Sequence, residues 1–138
     1  MDLIEALADA IYRFEGWIPA GVDPRMPHGS RSWRNRNPGN LRPRPGQVVP
    51  IDEEKYRVFP TFADGWNELR GDISAKLAGS HGLTDQSTIR NFFDVYAPSD
   101  DSNDPDKYSR QVAAWLSRDF ATPVTSATTL GYLKGLEA

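Results

Sequence analysis

The sequence predicts a mainly α (α+β) domain of about five helices, with one small β-hairpin after the first helix. Apolar residues recur at three- and four-residue spacing in five separate stretches, the mark of helices with one buried face. Glycines and prolines punctuate those stretches where helices stop and start. β-formers gather densely in one place, between residues 47 and 59. At 138 residues the chain fits one domain, 1–138.

Leu3, Leu7, Ile11 and Phe14 form the stripe of the first helix, with Ile4 and Ala8 beside it; Gly16 and Pro19 end it. Residues 18–46 hold six of the eleven prolines and four of the eleven glycines, so they read as a long loop. A loop of that length in a compact domain is usually functional or disordered, and Trp33 and Leu41 argue for packing. Val48, Val49 and Ile51, then Tyr56, Val58 and Phe59, predict two hairpin strands around an Asp52-Glu53-Glu54 turn. Thr61-Phe62-Ala63-Asp64 reads as a capped helix start. Phe62, Trp66, Leu69, Ile73 and Leu77 then mark a central buried helix, stopped by Gly79 and Gly82. Thr84 or Ser87 is the expected cap of a third helix bearing Ile89, Phe92, Phe93 and Tyr96, closed by Pro98. Asp104-Pro105 starts a fourth, striped with Tyr108, Val112, Trp115 and Leu116. Ser126 is the candidate cap of a last helix with Leu130, Leu133 and Leu136.

Composition narrows the function classes. No apolar run is long enough to span a membrane. The N-terminus is acidic from Asp2 and lacks the basic start and continuous apolar run of a signal peptide. Cysteine is absent, which removes disulfides and thiolate metal sites. His28 and His81 read as surface residues and cannot build a histidine zinc site without carboxylates. No metal or cofactor is expected. The net charge of −3 is unevenly spread: six Arg and no acid from Pro24 to Gly46, five Asp and no base from Asn91 to Asp106. These are solvated loops of opposite sign, or a basic cleft wall facing an anionic polymer. The run Asp100 to Asp104 invites a calcium reading, but Pro105 and Gln111 stand where an EF-hand needs Gly and Glu.

Two features carry chemistry. Glu15 lies at the edge of the apolar stripe of the first helix, flanked by Phe14 and Trp17. A carboxyl half-buried among aromatics is disfavoured as an anion, as a general acid near neutrality requires. A surface Glu at a frayed helix end is the competing reading. The run Arg34-Asn35-Arg36-Asn37-Pro38-Gly39-Asn40-Leu41-Arg42 is a poor helix and a poor strand. It makes a loop crowded with amides, suited to a ligand rich in hydroxyls and acetamides. Asn37 or Asn40 can instead hold the Pro-Gly turn by bonding backbone, or the arginines and Trp33 can grip nucleic acid.

With these residues assembled, the chain resembles the lysozyme-like superfamily, and more closely a group of short phage-type peptidoglycan-degrading domains. Their pattern is a helix ending in Glu-Gly, then R-N-x-N-P-G-N-L-R, then an aromatic helix start, then Y-A-P followed by Asn and Tyr. Here these are Glu15-Gly16, Arg34 to Arg42, Phe59 to Gly65, and Tyr96-Ala97-Pro98 followed by Asn103 and Tyr108. The pattern is also similar, more distantly, to flagellar-type glucosaminidases. Arg36 stands where Asn is common, and no Ser follows Glu15.

The resemblance implies a lysozyme-like fold and cleavage of β-1,4 bonds in bacterial peptidoglycan, as a muramidase or a lytic transglycosylase. Glu15 takes the acid role; Asn37, Asn40, Arg42, Phe62 and Tyr96 take sugar-binding roles. Asp23 and Asp52 to Glu54 are the candidates for a second carboxylate. The expected partner is the glycan strand of peptidoglycan, met by a monomer without nucleic acid or membrane insertion. The expected delivery is from the cytoplasm by phage lysis, a virion or a secretion machine. A catalytically inactive glycan-binding or virion structural module, and a nucleic-acid binder working through the Arg-rich loop, are the alternatives.

Overall fold

A computed structural model describes residues 2–99 and 103–137. Their helices are α1 (Leu3–Glu15), α2 (Arg31–Arg34), α3 (Phe62–Leu77), α4 (Ile89–Tyr96), α5 (Pro105–Asp119) and α6 (Leu130–Gly135). The mainly helical expectation is met, with α2 as an unforeseen single turn inside the long loop. Of the acidic run, Asp100, Asp101 and Ser102 lie outside the described residues. No helix is long and apolar enough to cross a membrane among the described residues. The chain divides into two compact units, Met1–Ala10 with Asp72–Ala138, and Ile11–Gly71, so the division falls inside α1 and α3.

The first unit is a helical core. Leu3 and Leu7 of α1, Ile73 of α3, Ile89, Phe92 and Phe93 of α4, Tyr108, Val112 and Leu116 of α5, and Leu130 and Leu133 of α6 are all buried. Phe93 and Tyr108 stack at 4.5 Å and pin α4 to α5. Asp104 caps α5, accepting from the Lys107 N–H, with Pro105 in the first turn as expected. The other caps differ from the sequence reading. Thr88, rather than Thr84 or Ser87, caps α4 in a reciprocal box with Asn91. Thr129, rather than Ser126, caps α6. Backbone pairing chooses these positions. Ile89 N–H donates to Thr128 O, Arg90 N–H to Ser126 O and Leu130 N–H to Ser87 O, around an antiparallel bridge between Thr88 and Thr129. Each helix start thus satisfies orphan groups of the other.

The second unit corrects two expectations. The hairpin does not form as strands: the single ladder contact is one antiparallel bridge, Ile51 to Arg57. Pro50 has no N–H to give a ladder, Lys55 sits at φ +69°, and Val48 is 98% exposed, with no surface to pack on. What remains is a tight turn. Asp52 N–H donates to Tyr56 O at 2.8 Å, and Val58 N–H to Pro50 O at 3.0 Å. α3 is also less buried than its pattern implies. Leu69 and Ile73 are fully buried, whereas Phe62 is exposed and Trp66 and Leu77 are half-buried. Thr61 starts the helix as expected, bonding the Asp64 N–H at 3.1 Å and the Asp64 carboxylate at 3.0 Å.

Gly65 explains how the loop meets α3. A β-carbon there would lie 2.1 Å from Arg36 O and 2.9 Å from Pro38 Cδ. The loop backbone rests directly on the helix, with no room for a methyl group. Gly65→Ala is therefore expected to destabilise by at least about 1–3 kcal/mol through overpacking. Gly71, in the same helix, is the control, because a methyl group there would meet nothing within 4 Å. Gly71→Ala should stabilise by about 0.5–1 kcal/mol through helix propensity. Denaturant titration of the two variants measures both signs.

Candidate active site

Glu15 is the last residue of α1, and Gly16, at φ +76°, turns the chain out of the helix. Two buried serines receive that turn. Ser30 Oγ accepts from the Ile18 N–H at 2.9 Å, and Ser30 N–H donates to Ile18 O at 2.8 Å. Ser32 Oγ donates to Gly16 O at 3.4 Å. Ser30 also caps α2. The sequence reading missed both serines. The available signal was Ser30 in N-cap position before the Arg31–Arg34 turn.

The Arg34 to Arg42 loop is built around Asn37, whose side chain is wholly buried. Its amide donates to Leu41 O and to Arg57 O, both at 2.9 Å, and its oxygen accepts from the Leu41 N–H at 2.9 Å. The competing reading of this asparagine, as a turn holder, describes what its amide does. Neighbouring groups extend the lacing. Asn35 O accepts from the Phe59 N–H at 2.9 Å, Arg36 Nε donates to Phe59 O at 2.9 Å, and Arg57 N–H donates to Leu41 O at 2.9 Å. Arg34 donates to Gly29 O at 2.9 Å. Several of the loop's guanidiniums thus serve main-chain carbonyls.

Asn40 joins the two motifs. At φ +46° it turns its side chain so that Nδ2 donates to Glu15 Oε1 at 2.9 Å. Its Oδ1 is buried with no hydrogen-bond partner among the described residues. A buried acceptor left unpaired costs about 1–3 kcal/mol.

The remaining candidates fall as follows. Arg42 is exposed, lies 4.0 Å over the Tyr56 ring and donates to Glu54 O at 2.9 Å. Arg31 lies over the same ring at 4.4 Å and pairs with Glu54 at 2.6 Å. Phe62 is 40% exposed and approaches Trp17 edge-on at 4.9 Å. Tyr96 belongs to the first unit. Its ring stacks on Phe92 at 6.0 Å, meets Phe93 and Tyr108 edge-on, and has the Lys76 ammonium 5.6 Å from its centroid. His28 and His81 are exposed, and no group of three or more metal-ligating side chains occurs among the described residues.

The candidate second carboxylates Asp52 and Asp23 are engaged. Asp52 accepts from Asn35 Nδ2 at 2.8 Å and from the Glu54 and Tyr56 N–H groups at 2.9 Å. Burial alone raises its pKa and is the largest single influence; the bonds from Asn35, Tyr56 and Glu54 and the charge of Arg31 together outweigh it, so the value is lowered. Asp23 is held below its usual range by its bonds to Arg25. The chain matches no protein-family model, no curated protein and no solved structure at a significant level.

Two expectations follow. Asn37→Ala should lower stability by more than about 2 kcal/mol, because buried backbone groups lose their partner. Arg42→Ala, at an exposed position, should cost less than about 1 kcal/mol. Chemical denaturation separates them. The second concerns acid. A carboxylate with a lowered folded pKa stabilises above its unfolded value, about 3.9 for Asp, and that contribution disappears as pH falls through the folded value. Asp52→Asn should therefore flatten the loss of stability below about pH 4, read from melting temperatures across the acid range.

Proposed function

We propose that the protein cleaves the β-1,4 glycosidic bonds of bacterial peptidoglycan, with Glu15 as the general acid. The observation that carries this reading is the 2.9 Å bond from Asn40 Nδ2 to Glu15 Oε1. The two motifs whose combination suggests a sugar-cleaving site lie 25 residues apart in the chain, and their central side chains touch. A loop laced by Asn37 that presents an amide to a helix-end carboxyl suits catalysis that depends on a fixed proton position.

In this reading Oε1 stays with Asn40 and the transferred proton sits on Oε2. Glu15 gives that proton to the glycosidic oxygen as the C1–O bond breaks. Asn37 serves the site indirectly, by holding the loop. Arg42 and Phe62 contact the glycan, and Tyr96 is a sugar-binding residue carried over by the resemblance. The lysozyme-like fold, the monomeric state and delivery by phage lysis, a virion or a secretion machine belong to the same proposal.

We favour lytic transglycosylation over hydrolysis. The ionised Glu15 then takes the proton of the sugar 6-hydroxyl, whose oxygen bonds C1 and closes the 1,6-anhydro ring. Hydrolysis would instead place water with a second carboxylate, at about 5 Å for retention or about 6.5–9.5 Å for inversion. The Asp52 carboxylate is tied to Asn35 and to two backbone N–H groups, with its pKa lowered, which makes it a weak base.

Glu15→Gln keeps shape and removes the proton, so cell-wall clearing should fall about 10²–10⁴-fold with the fold intact. Near wild-type clearing by this variant sinks the assignment. Mass spectrometry of the digested wall decides the product: 1,6-anhydro ends for transglycosylation, reducing ends one water heavier for hydrolysis.

A further inference from the structure

We propose that Tyr12, Trp17, Phe62 and Trp66 form a stacking platform for a pyranose ring of a polysaccharide. The identity of that polysaccharide as peptidoglycan glycan rests on the function proposed above; the platform itself rests on ring geometry.

Phe62 is the hub. Its ring lies 6.1 Å from Tyr12, 4.9 Å from Trp17 and 5.7 Å from Trp66. A phenylalanine with three aromatic neighbours belongs, on packing grounds, in a core. This one is 40% exposed, and the other three rings are half-buried rather than buried. The cluster is therefore a surface, made of the end of α1, the turn after it and the start of α3. Its contacts are mostly edge-on, with interplanar angles of 79°, 80° and 84°, the arrangement that ring quadrupoles favour. Mutually braced rings have little rotamer freedom left to lose when a ligand arrives.

A pyranose suits such a surface. Its C–H-rich face packs on aromatic rings, while its hydroxyls and acetamides point outward to polar partners. Those partners are close in the chain: Tyr12 and Trp17 bracket Glu15, which Asn40 holds at 2.9 Å. A nucleobase also stacks on aromatic rings, but it brings phosphates that call for available cations. The loop's Arg34 and Arg36 are directed to Gly29 O and Phe59 O.

The test uses the full chain carrying Glu15→Gln, so that ligand is not consumed, with the N-acetylglucosamine tetramer as probe. Binding is read by calorimetry and by tryptophan fluorescence, which Trp17 and Trp66 should report. Phe62→Ala is expected to weaken binding at least about tenfold, a loss of about 1.4 kcal/mol, in a chain that circular dichroism shows still folded, with a melting temperature lowered by the lost ring contacts. Phe62→Tyr, which restores a ring, should return affinity to within about threefold of the parent. Three results overturn the proposal: no tetramer binding by the parent, unchanged affinity in both Phe62→Ala and Trp17→Leu, or salt-sensitive binding of a single-stranded oligonucleotide in place of the sugar. The two proposals fail separately. Wall cleavage that survives both Phe62→Ala and Trp17→Leu, with unchanged tetramer affinity in each, removes the platform and leaves the enzyme. Tetramer binding that requires Phe62, in a chain that never clears cell wall, removes the enzyme and leaves the platform.

Discussion

One buried amide, that of Asn37, holds the shape of the loop on which the candidate site depends. A loop without helix or strand must still satisfy its backbone N–H and C=O groups. Asn37 does this for three of them at once, at 2.9 Å each, from a position with no exposed surface. In a low-dielectric setting those bonds are strong, and their loss leaves unpaired groups rather than hydrated ones. Asn37 thus links residue 41 to residue 57, across a stretch that forms no sheet. Gly65 completes the arrangement by letting residues 36 and 38 lie directly on α3. Asn40 can then adopt its left-handed backbone and reach Glu15.

The charge asymmetry of the sequence takes on a different meaning in this light. Six arginines without an acid suggest a surface for anionic polymer. Arg34 and Arg36 instead donate to carbonyls, while Arg31 and Arg42 lie over Tyr56 and bond to Glu54. The planar fork of arginine suits this work, because it bonds and stacks in one geometry. Under the proposed function, recognition comes from aromatic rings more than from net charge. That is consistent with a ligand whose repeating unit is mostly neutral and hydroxylated.

Legibility in the sequence followed the range of the interactions. Helix ends set by local chemistry were readable: Gly16, Thr61, and Asp104 with Pro105 all act where their types suggest. Caps set by pairing with a distant segment were not. Thr88 and Thr129 are chosen by their mutual bridge, and neither neighbourhood alone favours them over Ser87 or Ser126. The hairpin failed for a related reason. β-propensity describes a residue fit for a half-buried pleated surface, and Val48 has no such surface. Glu15 and the loop could be named as a pair from sequence, because both are local signatures. That Asn40 rather than Asn37 touches Glu15 could not be, since it depends on which amide the residue 57 segment captures.

The Asn40 bond also bears on the chemistry proposed for Glu15. An N–H donated to a carboxyl oxygen stabilises the anion more than the neutral acid. That is an advantage at the moment of proton transfer, when charge appears on Glu15 and a donor is already in place, needing no reorganisation. The same donor holds the anion in position for the second transfer, from the 6-hydroxyl, while weakening it as a base. A single carboxyl that must act first as acid and then as base works best when neither form is strongly preferred. In Glu15 the Asn40 donor, 2.9 Å from Oε1, stands ready for the anion in both transfers, from a loop that Asn37 holds in place.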